Sequence, residues 1–87
     1  MLKITFAPSA FLEYMEYQKN NKNLKKINTL LKDIARNGDA GLGKVEKLTG
    51  DLSGYYSRRI DSKNRIIYRF NDEVCEIVQI GGHYSDK

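Results

Sequence analysis

Residues 2–6, Leu-Lys-Ile-Thr-Phe, alternate apolar and polar with a period of two, which predicts a first strand. Pro8 suits the first turn of a helix, where its missing N–H costs nothing, and that helix is expected to run to about Gln18. Its apolar residues Phe11, Leu12, Tyr14, Met15 and Tyr17 are too dense for one narrow stripe, so burial over a wide arc is expected. Asn20 and Asn21 interrupt it. A second helix, to about Arg36, carries Leu24, Ile27, Leu30, Leu31 and Ile34 at helical spacing, with Lys25, Lys26, Lys32 and Asp33 mostly around its other side. Asn37-Gly38 is a natural stop, since both residues tolerate the left-handed conformation that ends helices.

From Gly38 to Gly54 the chain holds Gly38, Gly41, Gly43, Gly50 and Gly54, which predicts a long loop with at most a short strand near Val45 to Leu48. The last third reads as strands: Tyr55 to Ile60, then Arg65 to Phe70, then the apolar run Glu73 to Ile80. Asp61-Ser62-Lys63-Asn64 and Asn71-Asp72 are the turns between them. A four-residue turn at 61–64 pairs Ile60 with Arg65 and so sets Arg59 on the face opposite Arg65, unless a bulge intervenes. One strand, two helices and a run of strands predict a single α+β domain over residues 1–87, with the two N-terminal helices packed on one face of a twisted antiparallel sheet. Ile66, Tyr68 and Phe70 alternate with Arg65, Ile67 and Arg69, so the arginines are expected on the face that the helices leave free.

Charge sharpens this picture. Fifteen Lys and Arg face eleven Asp and Glu, a formal charge of +4. The excess is patchy: Lys19, Lys22, Lys25 and Lys26 form one cluster, and residues 44–69 carry seven cations against Glu46, Asp51 and Asp61. A patchy positive field suits polyanions such as RNA, although a mild excess of charge also keeps many proteins in solution. Cys75 is the only cysteine and sits in the most apolar strand, where it reads as core. One cysteine permits no internal disulfide, and one His with one Cys argues against zinc, so neither metal nor cofactor is expected. No segment approaches the roughly 18 apolar residues of a membrane span, and the N-terminus lacks the features of a signal peptide, so a cytoplasmic home is expected.

RNA can be cut by its own 2′-hydroxyl, given a base for that proton, cations for the pentavalent phosphate and an acid for the leaving 5′-oxygen. Glu46 can serve as base. The planar, always protonated fork of Arg65 matches phosphate oxygens, and His83 can give and take protons near neutrality. Tyr84 can stack on a base or orient the phosphate. Each has a plainer alternative. A lone loop Glu is usually solvated, a strand Arg usually lays its stem over neighbours, a single His usually has no chemical part, and Tyr84 can simply close the sheet edge. Composition and spacing thus leave a non-catalytic module open, one that binds RNA, the ribosome or an acidic partner through Arg58, Arg59, Arg65 and the lysines.

Gly43-Lys44-Val45-Glu46-Lys47-Leu48, Leu52-Ser53-Gly54-Tyr55-Tyr56-Ser57-Arg58-Arg59-Ile60 and Asn64-Arg65-Ile66-Ile67-Tyr68, with the His83-Tyr84 pair, resemble the YoeB/Txe toxins of type II toxin–antitoxin systems, part of the RelE-like superfamily. Lys25-Lys26-Ile27-Asn28 and Leu31-Lys32-Asp33 extend the likeness, which covers essentially the whole chain. The resemblance implies a RelE-like microbial RNase fold and a metal-independent endoribonuclease that cuts mRNA in the ribosomal A site. It also implies a YefM-type antitoxin partner, the 70S ribosome, operator DNA bound only through the antitoxin, and frequent homodimers. Matched position by position, it assigns the base to Glu46, the phosphate-holding arginine to Arg65, the acid to His83 and the terminal aromatic to Tyr84, with Lys44 and Arg59 at the RNA. The chain departs from the family pattern at Val45 and Lys47, where prolines are frequent. It departs again at Thr49, where lysine is common, at Tyr55-Tyr56, where a pair including Trp is usual, and at the added Ser85-Asp86-Lys87.

Overall fold

In the computed structural model, which describes residues 1–19 and 21–82, the chain forms β1 (Lys3–Phe6), α1 (Pro8–Tyr17), α2 (Asn21–Asn37), β2 (Glu46–Lys47), a single 3-10 turn (Gly50–Leu52), β3 (Tyr56–Arg59), β4 (Arg65–Phe70) and β5 (Val74–Gly81). One five-stranded sheet has the order β1-β5-β4-β3-β2. Its later strands are antiparallel neighbours, as the turn signals predict, and β1 alone joins in parallel, along β5. A parallel partner needs a long crossover, and β1 has both helices and three strands between it and β5. The architecture is α+β, two helices on one face of a mixed sheet.

The core lies between α2 and the sheet. Ile27, Leu30 and Ile34 recur at helical spacing along one face of α2 and are fully buried against Ile66 and Tyr68 of β4 and Cys75, Ile77 and Ile80 of β5. Burying each such aliphatic side chain contributes about 1.5–3 kcal/mol. A bulge keeps the last of them inside. Ile67 pairs with Gln79 but Tyr68 pairs with Ile77, so Val78 is the extra residue and both Ile77 and Ile80 face the helices. Past the end of β1, the Glu13 carboxylate of α1 accepts the N–H of Ile80 at 2.7 Å in place of a strand partner.

The first helix is less buried than its apolar density suggests. Only Ala10 is fully enclosed, while Phe11, Leu12 and Met15 stay 49%, 67% and 43% exposed. The helix lies on one corner of the sheet and touches β5, β1 and α2 on one side, so a wide apolar arc has nothing to cover its outer half. The second helix ends as expected: Gly38, at φ +62°, donates its N–H to Ile34 O at 2.9 Å.

The β3–β4 turn corrects the expected register. Ile60 N–H bonds Asn64 O at 2.8 Å, and Asp61 Oδ1 accepts the N–H groups of Lys63 and Asn64, both at 2.8 Å. The bond from Lys63 N–H, then those from the side-chain amide and N–H of Asn64, hold the Asp61 carboxyl below the usual carboxylate range. The Asp61-centred turn keeps Ile60 within the connection, so Arg59, not Ile60, pairs with Arg65. Arg59 and Arg65 therefore share a face.

Candidate functional site

The register builds the helix-free face row by row. Arg59, Arg65 and Gly81 lie across one row of β3, β4 and β5. The next row holds Glu46, Ser57, Ile67 and Gln79, and a third holds Arg69, Glu76 and Thr5, with Tyr55 beside Arg69. The face is not uniformly open. The short Ser57 and Ile67 are buried between rows of longer side chains, whereas Glu46 and Arg69 at the sides are exposed.

Two arginines directly across a strand pair repel, which normally costs stability. Among the described residues neither Arg59 nor Arg65 forms an ion pair. Among the described residues, Arg59 Nε, Arg65 Nη1 and Ser57 Oγ are buried without a hydrogen-bond partner. Buried donors without acceptors cost free energy that a bound anion would return. Lys44 joins them: it lines a cleft of about 330 Å³ with Lys26, Arg59 and Asp61. Glu46, exposed on β2, lies two strands from Arg65 and one row along. Usual strand spacing and rise then put their Cα atoms about 12 Å apart, room for a phosphodiester between the side chains.

Arg58 is where sequence reasoning went wrong. It points the other way from Arg59, is fully buried, and spends all five N–H donors inside the protein. Nη1 donates to Asp33 Oδ2 (2.6 Å) and Leu42 O (2.9 Å), Nη2 to Gly38 O and Ala40 O (both 2.8 Å), and Nε to the Tyr68 hydroxyl (2.9 Å). That hydroxyl donates to Gly38 O at 2.7 Å. One guanidinium thus fixes the glycine-rich loop between α2 and β2, and Arg58 cannot be a surface cation for RNA. Its bond to Arg58, with a second from Leu42 N–H, holds the Asp33 carboxyl below the usual carboxylate range. Burial raises the Tyr68 phenol. The signal was present in the sequence, since Tyr56, Arg58 and Ile60 alternate in phase. The loop's far end is anchored next door, where Arg59 N–H bonds Gly43 O at 2.6 Å, ahead of Lys44 and Glu46.

The structure thus brings Glu46, Arg59 and Arg65 to one face and Lys44 to its edge. Gly81, paired with Arg65, lies two residues before His83. His83 and Tyr84 lie outside the described residues.

Two helices on a five-stranded sheet with a cationic free face define a small RelE-like toxin domain, and comparison with known proteins makes the family specific. Residues 6–84 match the model of the YoeB-like toxin of bacterial type II toxin–antitoxin systems. The toxin YoeB of Streptomyces coelicolor is 43% identical over 84 residues, which are 95% of this chain and all of the relative. The heterotetrameric YoeB–YefM toxin–antitoxin complex from Staphylococcus aureus contains a similar chain. It has 49% identity and a TM-score of 0.86 over 97% of this chain and 99% of that one. A YoeB dimer from Staphylococcus aureus matches with 49% identity and a TM-score of 0.86, over 95% of this chain and 98% of that one. The chain belongs to the YoeB-like toxins of type II toxin–antitoxin systems. No helix among the described residues is long and apolar enough to cross a membrane.

Proposed function

We propose that this toxin is a ribosome-dependent, metal-independent mRNA endoribonuclease that cuts mRNA in the ribosomal A site and so arrests translation. The observation that carries the reading is the paired Arg59 and Arg65, with buried unpartnered donors, on the same sheet face as Glu46. In the proposed reaction Glu46 takes the proton of a 2′-hydroxyl. The 2′-oxygen forms a bond to the adjacent phosphorus while the bond to the 5′-oxygen breaks. His83 gives the departing oxygen its proton. The products are a 2′,3′-cyclic phosphate and a free 5′-hydroxyl. Arg65, aided by Arg59 and Lys44, holds the charge of the pentavalent phosphate, and Tyr84 stacks on a base or orients the phosphate. The nucleophile is internal to the RNA, so the balance closes with protein side chains alone.

The ribosome's part is positioning. Orientation of a bound substrate contributes about 7–11 kcal/mol in favourable cases, enough to make a sparse site effective only on the ribosome. The YoeB–YefM complex among the solved relatives supports a YefM-type antitoxin as the cellular partner, and the YoeB dimer supports a homodimer. Operator DNA is then met only through the antitoxin, and the cytoplasm is where mRNA and ribosomes are found. Primer extension on a defined mRNA in a purified translation system tests the reading. Cuts that need ribosomes and fall about 100-fold or more in Glu46→Gln agree with it. A folded, ribosome-bound wild type that makes no cut would favour the non-catalytic binding module.

A further inference from the structure

The third row of the free face carries chemistry that the proposed cleavage does not use. Tyr55 precedes β3 on the row beside Glu46 and Ser57. The Arg69 guanidinium lies over its ring, 5.4 Å from the centroid. Arg69 Nε donates to Glu76 Oε1 of the neighbouring strand at 2.9 Å, which uses one edge of the fork; the Nη amino groups form another. The arginine side chain is 57% exposed and the glutamate 35%. On the far side of Arg69, a cleft of about 430 Å³ is lined by Thr5, Arg69, Phe70, Asn71, Val74 and Glu76.

We infer that Tyr55, Arg69 and Glu76 form a nucleobase subsite that takes one unpaired base of the RNA beside the cut; the inference rests on the ribonuclease reading above. Three observations point there together. An aromatic ring and a guanidinium plane are the two surfaces on which unstacked bases settle. Glu76 ties down the guanidinium, so less side-chain freedom is lost when a base arrives. The position also fits: Arg65 and Arg69 lie four residues apart on β4, about 13 Å, a span that one or two nucleotides bridge from a phosphate at Arg65. A cross-strand ladder that served stability alone would not need a cleft beside it. The base meets donors from Arg69 and an acceptor from Glu76, so the subsite discriminates among bases as well as stacking them.

Two measurements on the full-length toxin test this. In the first, ribosome-bound mRNAs carrying each of the four bases at positions flanking the cut are compared by primer extension for wild type, Tyr55→Leu and Arg69→Gln. The expected result is that cutting by wild type depends on the base at one flanking position. Both variants should flatten that dependence, with the favoured sequence losing about tenfold or more. In the second, guanosine 5′-monophosphate and adenosine 5′-monophosphate are titrated into the toxin while the Tyr55 ring resonances are followed by NMR. Saturable shifts in wild type that weaken in Arg69→Gln support the subsite. Equal loss on every sequence together with a lowered Tm would mark the row as scaffold and overturn the inference, as would an unchanged base profile. A wild type that cuts nothing removes the ribonuclease reading, while the nucleotide titration still decides whether Tyr55 and Arg69 hold a base.

Discussion

Replacing Arg58 with methionine keeps an unbranched apolar stem but removes all five donors, three of which hold carbonyls of the loop between α2 and β2. Exposed Ala40 and Leu42 can turn their carbonyls to water, and Gly38 O keeps the Tyr68 hydroxyl, so those acceptors lose little. The large loss is the ion pair. The Arg58 side chain is 0% exposed and that of Asp33 16%, and removing one partner of such a buried pair costs about 3–5 kcal/mol. A domain of this size has only about 4–13 kcal/mol in all. At about 4–8 °C per kcal/mol, Arg58→Met should melt about 12–40 °C below wild type, as followed by circular dichroism at neutral pH. Asp33→Asn keeps an acceptor for the fork but leaves the fully buried guanidinium without its counter-charge, and should likewise cost about 3–5 kcal/mol. The pH dependence has a definite sign. The Asp33 carboxyl titrates below its unfolded value, so its contribution is complete above about pH 4 and is lost as pH falls through the folded value. Asparagine has nothing to lose, so the gap between wild type and Asp33→Asn should narrow as pH falls below about 4 and through the folded value. A melting point for Arg58→Met within about 3 °C of wild type would refute the claim that this guanidinium holds the loop. A gap that stays constant with pH would refute the part assigned to the Asp33 charge.

Two further outcomes follow from the site and the core. Arg65→Ala removes a like charge directly opposite Arg59 and a buried unpartnered donor, so its Tm should equal or exceed that of wild type while cleavage falls about 100-fold or more. A clear drop in Tm would mean that Arg65 is held for stability. Burial pushes the Cys75 thiol up to about 12, so iodoacetamide at neutral pH should label it only at the rate of unfolding; prompt labelling of folded protein would contradict its place in the core.

The elements themselves were legible because each carries a local signal. Period-two alternation marks β1 and β4, the apolar stripe marks α2, and Asn37-Gly38 its end. What escaped was set by contacts between distant segments. Density of apolar residues in α1 could not say that Phe11, Leu12 and Met15 lack a neighbour. Turn length alone could not say that the Asp61 carboxylate would keep Ile60 inside the connection, and that choice decides which face Arg59 occupies. Arg58 looked like one more cation in a basic stretch because charge argues for the surface; its phase with Tyr56 and Ile60 argued for the interior, and phase prevailed because Asp33, three loop carbonyls and the Tyr68 hydroxyl satisfy every donor. For the site, family resemblance named the residues, and the register explains why Glu46, Arg59 and Arg65 meet.

The central claim is that the face bearing Glu46, Arg59 and Arg65 completes a general acid–base site with His83. The most direct measurement is primer extension on a defined mRNA with purified ribosomes, comparing wild type, Glu46→Gln and His83→Ala, each also without ribosomes. Cuts that require ribosomes and fall about 100-fold or more in both variants, with ribosome binding kept, are the predicted result. Near-wild-type cutting by either variant would remove that residue from the mechanism and contradict the account.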